Sequence, residues 1–128
     1  VIVDYLQILS PADPRASDKS NMDTAVKELK HISRDYKIPV LAISSLNRKS
    51  YDEEITFEAF KESGAIEYGS DVLMGLFYQG EDKEQRRAEK KQPVRQVKLV
   101  VLKNRHGDVG QEVVYSFYPK YGYFKEET

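Results

Sequence analysis

Cysteine and tryptophan are absent from these 128 residues, and only two histidines and two methionines occur. Without cysteine, neither a disulfide nor a thiolate zinc site can hold the fold, and a reducing, cytoplasmic setting is the expectation. His31 and His106 show no metal-ligand spacing and no paired nucleophile, so neither is assigned chemistry. No apolar run approaches the roughly 20 residues that cross a bilayer, and no basic-then-apolar leader is read, so no membrane partner is expected. Charge of one sign is missing as well: 20 basic and 21 acidic residues leave a formal net charge of -1 and a pI near 6.2. The balance is a cancellation. Between Glu81 and Arg105 nine basic residues face four acidic ones, so that stretch carries +5 and the remainder -6.

A chain of this length, 40% hydrophobic, supplies one modest core, and residues 1–128 are read as part of a single domain. It opens with Val1 inside an apolar run, which suggests a segment of a larger protein. Val1 to Leu9 reads as a strand buried on both faces of a parallel sheet, and Ser10-Pro11-Ala12-Asp13-Pro14 ends it. From Asn21, the residues Met22, Ala25, Val26, Leu29, Ile32 and Tyr36 recur at three- and four-residue steps, the spacing of one helical face. Lys37-Ile38-Pro39 breaks that helix, and Val40 to Ile43 forms a second buried strand, completing a strand–helix–strand crossover.

The polar stretch from Ser44 to Tyr51 then lies at the carboxyl end of a strand, where open α/β sheets place ligands. Thr56 is read as the cap of a short helix through Glu62, ended by Ser63-Gly64. Asp71 to Tyr78 is a third strand. Residues 79–93 read as a charged insertion, either flexible or a solvated helix. Val94 to Leu102 and Glu112 to Tyr118 are strands joined by a hairpin turn that contains Gly107 and Gly110.

Asp4 follows three apolar residues of the first strand. An aspartate there either closes a strand end or points into a ligand crevice and holds magnesium, commonly through water. Three more strings stand beside it. Val1-Ile2-Val3-Asp4-Tyr5-Leu6-Gln7 resembles the Walker B strand of DnaB-type replicative DNA helicases, which ends in Asp-Tyr-Leu-Gln. Ile38 to Arg48 resembles that family's strand closed by Ser-Gln-Leu-Asn-Arg, and Lys61-Glu62-Ser63-Gly64-Ala65-Ile66-Glu67 its Arg-Glu-Ser-Gly-Ala-Ile-Glu segment. Lys103-Asn104-Arg105-His106-Gly107-Asp108-Val109-Gly110 resembles the last motif, Lys-x-Arg-x-Gly with a second glycine three residues on. Four motifs in order, across nearly the whole chain, are far more specific than any one.

The resemblance implies a partial RecA-like P-loop NTPase core: a mainly parallel sheet flanked by helices, with a C-terminal antiparallel hairpin. It implies an ATP-dependent helicase motor that uses ATP and Mg2+, moves on single-stranded DNA and forms a hexameric ring, with a primase or loader among its partners. Asp4 would orient the magnesium-bound nucleotide. Lys103 and Arg105 would act on ATP held by the adjacent subunit, with Arg105 as the finger. Lys61, Glu62 and Gly64 would line the DNA channel, and Arg48 would approach DNA. Lysine at 61, where arginine is usual, neutralises a phosphate without the two-pronged geometry of a guanidinium. Ser45 stands where the family has a γ-phosphate-sensing glutamine, and its hydroxyl is too short for that reach. Either Ser44, Asn47 or Arg48 takes over, or hydrolysis is coupled to DNA differently.

No Gly-x-x-x-x-Gly-Lys-Ser/Thr sequence occurs, and the family's catalytic glutamate lies upstream of the Walker B strand, so these residues alone are expected to be inactive. A recombinase-type RecA-like ATPase shares Asp4 and the strand order, and a non-catalytic DNA- or helicase-binding module accommodates Ser45 and the missing phosphate loop. The Glu-Ser-Gly-Ala-Ile-Glu string and the Lys-x-Arg hairpin favour the helicase.

Overall fold

The computed structural model describes residues 1–9, 13, 15–45, 55–56 and 64–127. These fall into two compact units, residues 1–45 with 64–70, and residues 55–56 with 71–127.

In the first unit, strand β1 (Ile2–Val3) pairs in parallel with β2 (Leu41–Ala42) through helix α1 (Asp18–Tyr36). Leu41 N donates to Val1 O at 2.8 Å, Ile43 N to Val3 O at 2.9 Å, and Leu6 N to Ile43 O at 2.8 Å. The helix starts earlier than its apolar spacing implied. Ser17 caps it, its hydroxyl accepting from Ser20 N at 3.2 Å, so three polar residues join the first turn. Its end falls at the predicted break: Lys37 is left-handed (φ 53), Ile38 N donates to Ser33 O at 3.1 Å, and the Ser33 hydroxyl donates to Ile38 O at 2.8 Å. A short helix, α2 (Gly64–Gly69), buries Ile66 and packs against α1. At Gly69 a side chain would stand 3.0 Å from Val26 Cγ1, so glycine sets how closely the two helices approach.

The expected burial of both strands and the helix stop at Gly64 are corrected here; β2 is exposed, with Leu41 at 49%. The strand read over Val1–Leu9 is only two residues long and is not buried on both faces: Ile2 is 70% exposed. Burial on both faces requires helices over both faces of a sheet, whereas β1 and β2 form a sheet of two strands. After Asp4 the chain enters a 3-10 turn (Leu6–Ile8) that buries Leu6 to 4% exposure. Gly64, read as a helix stop, lies instead in α2, where burial of Ile66 outweighs the weak helix propensity of glycine. The helix expected from Thr56 through Glu62 lies outside the described residues but for Thr56, which is in no element.

The second unit is a four-stranded antiparallel sheet in the order β3 (Val72–Tyr78), β4 (Arg95–Asn104), β5 (Glu112–Tyr118) and β6 (Tyr123–Glu126). Along β3 burial alternates, Leu73 and Phe77 inward, Val72, Met74 and Leu76 exposed. The β3–β4 register slips where Leu73 faces Lys103 and Met74 faces Val101, leaving Leu102 as the extra residue of a bulge. Ile55 and Leu102 close over Gly75, so tightly that a Cβ there would lie 3.0 Å from Ile55 Cγ2 and 3.2 Å from Leu102 Cδ1.

Residues 83–89 of the charged stretch form helix α3 (Lys83–Glu89). Asp82 Oδ1 caps it by accepting from Gln85 N at 2.8 Å. Arg86, only 8% exposed, donates from Nη1 to Gly80 O at 2.6 Å. The β4–β5 hairpin turns at the predicted glycines, with Gly110 at φ 80 and its N–H donating to Val101 O at 2.7 Å. Strand β6 was not foreseen. It follows a 3-10 turn (Pro119–Tyr121) and is held by Phe124, which stacks on Phe117 at 4.3 Å between ring centroids.

Candidate active site

Parallel pairing brings the carboxyl ends of β1 and β2 to one edge of their sheet, the edge where open α/β folds bind ligands. Asp4 follows the last residue of β1, and its side chain is exposed; the Asp4–Tyr5 peptide is cis. Ser44 and Ser45 follow β2 by two and three residues. The structure thus gathers Asp4, Ser44 and Ser45, three of the sequence-derived site residues, at one strand edge.

Among the described residues no three carboxylate, histidine or cysteine side chains gather as a metal cage. A lone exposed carboxylate suits magnesium, which keeps most of its water and takes further oxygens from nucleotide phosphates. It would not suit a structural zinc or calcium ion, which needs several protein ligands.

Lys103 and Arg105 belong to the second unit, at the end of β4. Lys103 is its penultimate residue, opposite Leu73; Arg105 follows the strand. Arg105 is fixed twice to Asp71: its backbone N–H donates to Asp71 O at 2.8 Å, and Nη1 lies 3.1 Å from Asp71 Oδ1. Both side chains are about half exposed, 48% and 45%, so the guanidinium is oriented without being buried. Two glycines shape the turn behind it. A Cβ on Gly107 would stand 2.7 Å from Asn104 Nδ2, and Gly110 takes a left-handed conformation that side chains disfavour.

A family model, described as DnaB-like helicase C terminal domain, matches residues 1–126. The chain belongs to the DnaB-like helicase C-terminal domain family. Its relatives include the replicative DNA helicase DnaC of Bacillus subtilis, 29% identical over 97% of this chain and 27% of the relative. DnaB of Geobacillus stearothermophilus is 28% identical over the same shares. Among solved structures, an ATPase domain superposes with TM-score 0.79 at 29% identity over 100% of this chain and 44% of its own. A DnaB-like replicative helicase, described with its interactions with primase, gives 0.77 at 29% identity over 97% of this chain and 30% of its own. The chain therefore spans about a quarter of the length of the curated helicases it matches.

Membership in this family accounts for the architecture: a RecA-like α/β core, seen here as the small parallel sheet with its helices and the larger C-terminal antiparallel sheet. Of the DNA-facing residues the resemblance implied, Gly64 lies in α2, while Arg48, Lys61 and Glu62 lie outside the described residues. No described helix is long and apolar enough to cross a membrane. Two residues that sequence reasoning left without a role emerge, Gln7 against Ser44 and Ser45 in the first unit and Asp71 against Arg105 in the second. Gln7 sits within a recognised string and Asp71 opens a predicted strand, but the partner of each is more than thirty positions away and no local periodicity announces the pairing.

Proposed function

We propose that this chain is part of the ATP-dependent motor of a replicative DNA helicase, which moves on single-stranded DNA and unwinds duplex. The observation that carries the reading is the family match over residues 1–126; Asp4 and Ser44 follow the ends of β1 and β2, and Lys103 and Arg105 lie where β4 enters the glycine-shaped hairpin. In the intact protein, six subunits would form a ring with ATP shared between neighbours. Asp4 would orient the nucleotide's Mg2+, with Ser44 and Ser45 beside it. The metal, when bound, supplies positive charge to the phosphate oxygens.

Lys103 and Arg105 would act on the neighbour's nucleotide. Phosphoryl transfer needs cationic groups at the γ-phosphate oxygens, and a guanidinium offered across an interface makes turnover depend on assembly. Lys61, Glu62, Gly64 and Arg48 would meet the DNA backbone, whose phosphates give sequence-independent grip. The replicative helicase whose interactions with primase are described supports a primase as a further partner.

The test is DNA-stimulated ATP hydrolysis by the full-length protein carrying Asp4→Asn. Loss of the carboxylate should lower turnover by about 100-fold or more, since a metal's share of charge stabilisation amounts to several kcal/mol. Single-stranded DNA binding should persist. Unchanged turnover would remove Asp4 from the site and, with it, this reading.

A further inference from the structure

The side-chain amide of Gln7 meets the Ser44–Ser45 segment at three points. Nε2 donates to Ser45 O at 2.8 Å and to the Ser44 hydroxyl at 3.2 Å, and Oε1 accepts from Ser45 N at 3.2 Å. The pattern continues the parallel ladder. Backbone bonds run from Leu41 N to Val1 O, from Ile43 N to Val3 O and from Leu6 N to Ile43 O. The next residue of β2's strand line to present its N–H and C=O toward β1 is Ser45, but the backbone has by then entered the turn at Leu6–Ile8. A primary amide carries a donor and an acceptor side by side, as a peptide group does, and Gln7 supplies both.

We infer that Gln7 is a positioning residue: its amide takes the place of a peptide group and fixes Ser45 against the turn that follows Asp4. The inference rests on the proposed reading in which Asp4 and the Ser44–Ser45 segment face the nucleotide. Because Gln7 lies three residues beyond Asp4, its bonds make the metal-facing strand end and the end of β2 one hydrogen-bonded piece. A serine too short to touch the γ-phosphate as a glutamine would still be held in a fixed frame. Gln7 touches no reacting atom in this account. Its effect passes through the Ser45 peptide.

The experiment compares Gln7→Ala and Gln7→Glu in the full-length protein, with Asp4→Asn as the control on the underlying reading. Gln7→Ala should lower kcat for ATP hydrolysis about tenfold while KM for ATP stays within about twofold, since misplacement penalises the transition state more than binding. Gln7→Glu has the same shape but sets a carboxylate oxygen against the Ser45 carbonyl. It should be impaired at least as much, whereas a residue acting through volume alone would tolerate it. Hydrogen exchange at the Ser45 amide should accelerate about tenfold in Gln7→Ala. The thermal midpoint should move by no more than about 2 °C, because Gln7 is a surface residue.

If Asp4→Asn impairs turnover and Gln7→Ala does not, the inference about Gln7 falls and the nucleotide reading stands. If Asp4→Asn is silent, both fall. Unchanged Ser45 exchange in Gln7→Ala, or a fully active Gln7→Glu, overturns the inference even where kcat drops.

Discussion

Arg105→Ala separates a catalytic loss from a structural one, because the two differ widely in size. The substitution removes the contact between Nη1 and Asp71 Oδ1 at 3.1 Å but leaves the 2.8 Å bond from Arg105 N to Asp71 O, which belongs to the backbone. An ion pair between side chains 48% and 45% exposed contributes about 0.2–1 kcal/mol. A trans-acting arginine in phosphoryl transfer contributes roughly 10³–10⁵ in turnover, equivalent to about 4–7 kcal/mol of barrier. The intact variant should therefore unfold within about 1 kcal/mol of the parent in urea, still bind ATP, and hydrolyse it at least about a thousandfold more slowly. Arg105→Lys should recover little, since an ammonium keeps the charge but not the fork.

Action in trans adds a second signature. Mixed with Asp4→Asn subunits, Arg105→Ala subunits should regain activity, because about a quarter of the head-to-tail interfaces in an equimolar mixture would combine an intact Asp4 with an intact Arg105. Turnover within about tenfold of the parent would refute the assignment. Inactivity accompanied by loss of folding would refute the premise that the arginine is structurally dispensable.

Two further outcomes follow from the packing and from the motif inventory. Gly75→Ala should destabilise the protein by about 1–3 kcal/mol, read from the urea midpoint, because its Cβ would meet Ile55 Cγ2 at 3.0 Å, Ile55 Cβ at 3.1 Å and Leu102 Cδ1 at 3.2 Å. An unchanged or raised midpoint would show that Ile55 and Leu102 yield freely. Residues 1–128 alone, which contain no Gly-x-x-x-x-Gly-Lys-Ser/Thr loop, should neither bind nor hydrolyse ATP in titration calorimetry with Mg2+; tight magnesium-dependent binding would overturn that expectation.

The antiparallel sheet was the more legible part of the fold. Strands β3, β4 and β5 begin and end within two residues of where apolar runs and the Gly107/Gly110 turn place them, because alternation and turn chemistry are local signals. Strand β6 carries no such signal: Tyr123, Phe124, Lys125 and Glu126 are all exposed, and the Phe117–Phe124 stack that recruits it joins residues from different strands. The same holds for Arg86. An arginine in a charged, aperiodic stretch reads as solvated, whereas the fold places the carbonyl of Gly80 to accept from it while it is buried. Among the candidate site residues, the strand-end positions of Asp4, Ser44, Ser45 and Arg105 were legible because motifs mark strand ends. Gln7 and Asp71 were not, since what distinguishes them is a partner and not a pattern.

The half-exposed pair between Arg105 and Asp71 fits the part proposed for the arginine better than either extreme would. A guanidinium free in water would sample many rotamers, and ordering it at the neighbour's nucleotide would cost up to about 2 kcal/mol of side-chain entropy. A guanidinium buried against its carboxylate would be costly to extract, because separation leaves an uncompensated charge, at about 3–5 kcal/mol. At the observed exposure the pair is worth about 1 kcal/mol or less, enough to bias the side chain and weak enough to yield to a phosphate with more negative charge and more acceptor oxygens. The backbone bond to Asp71 O is unaffected by that exchange. The hairpin end can therefore stay in place while the guanidinium changes partner, and that combination is what a residue working on another subunit's substrate requires.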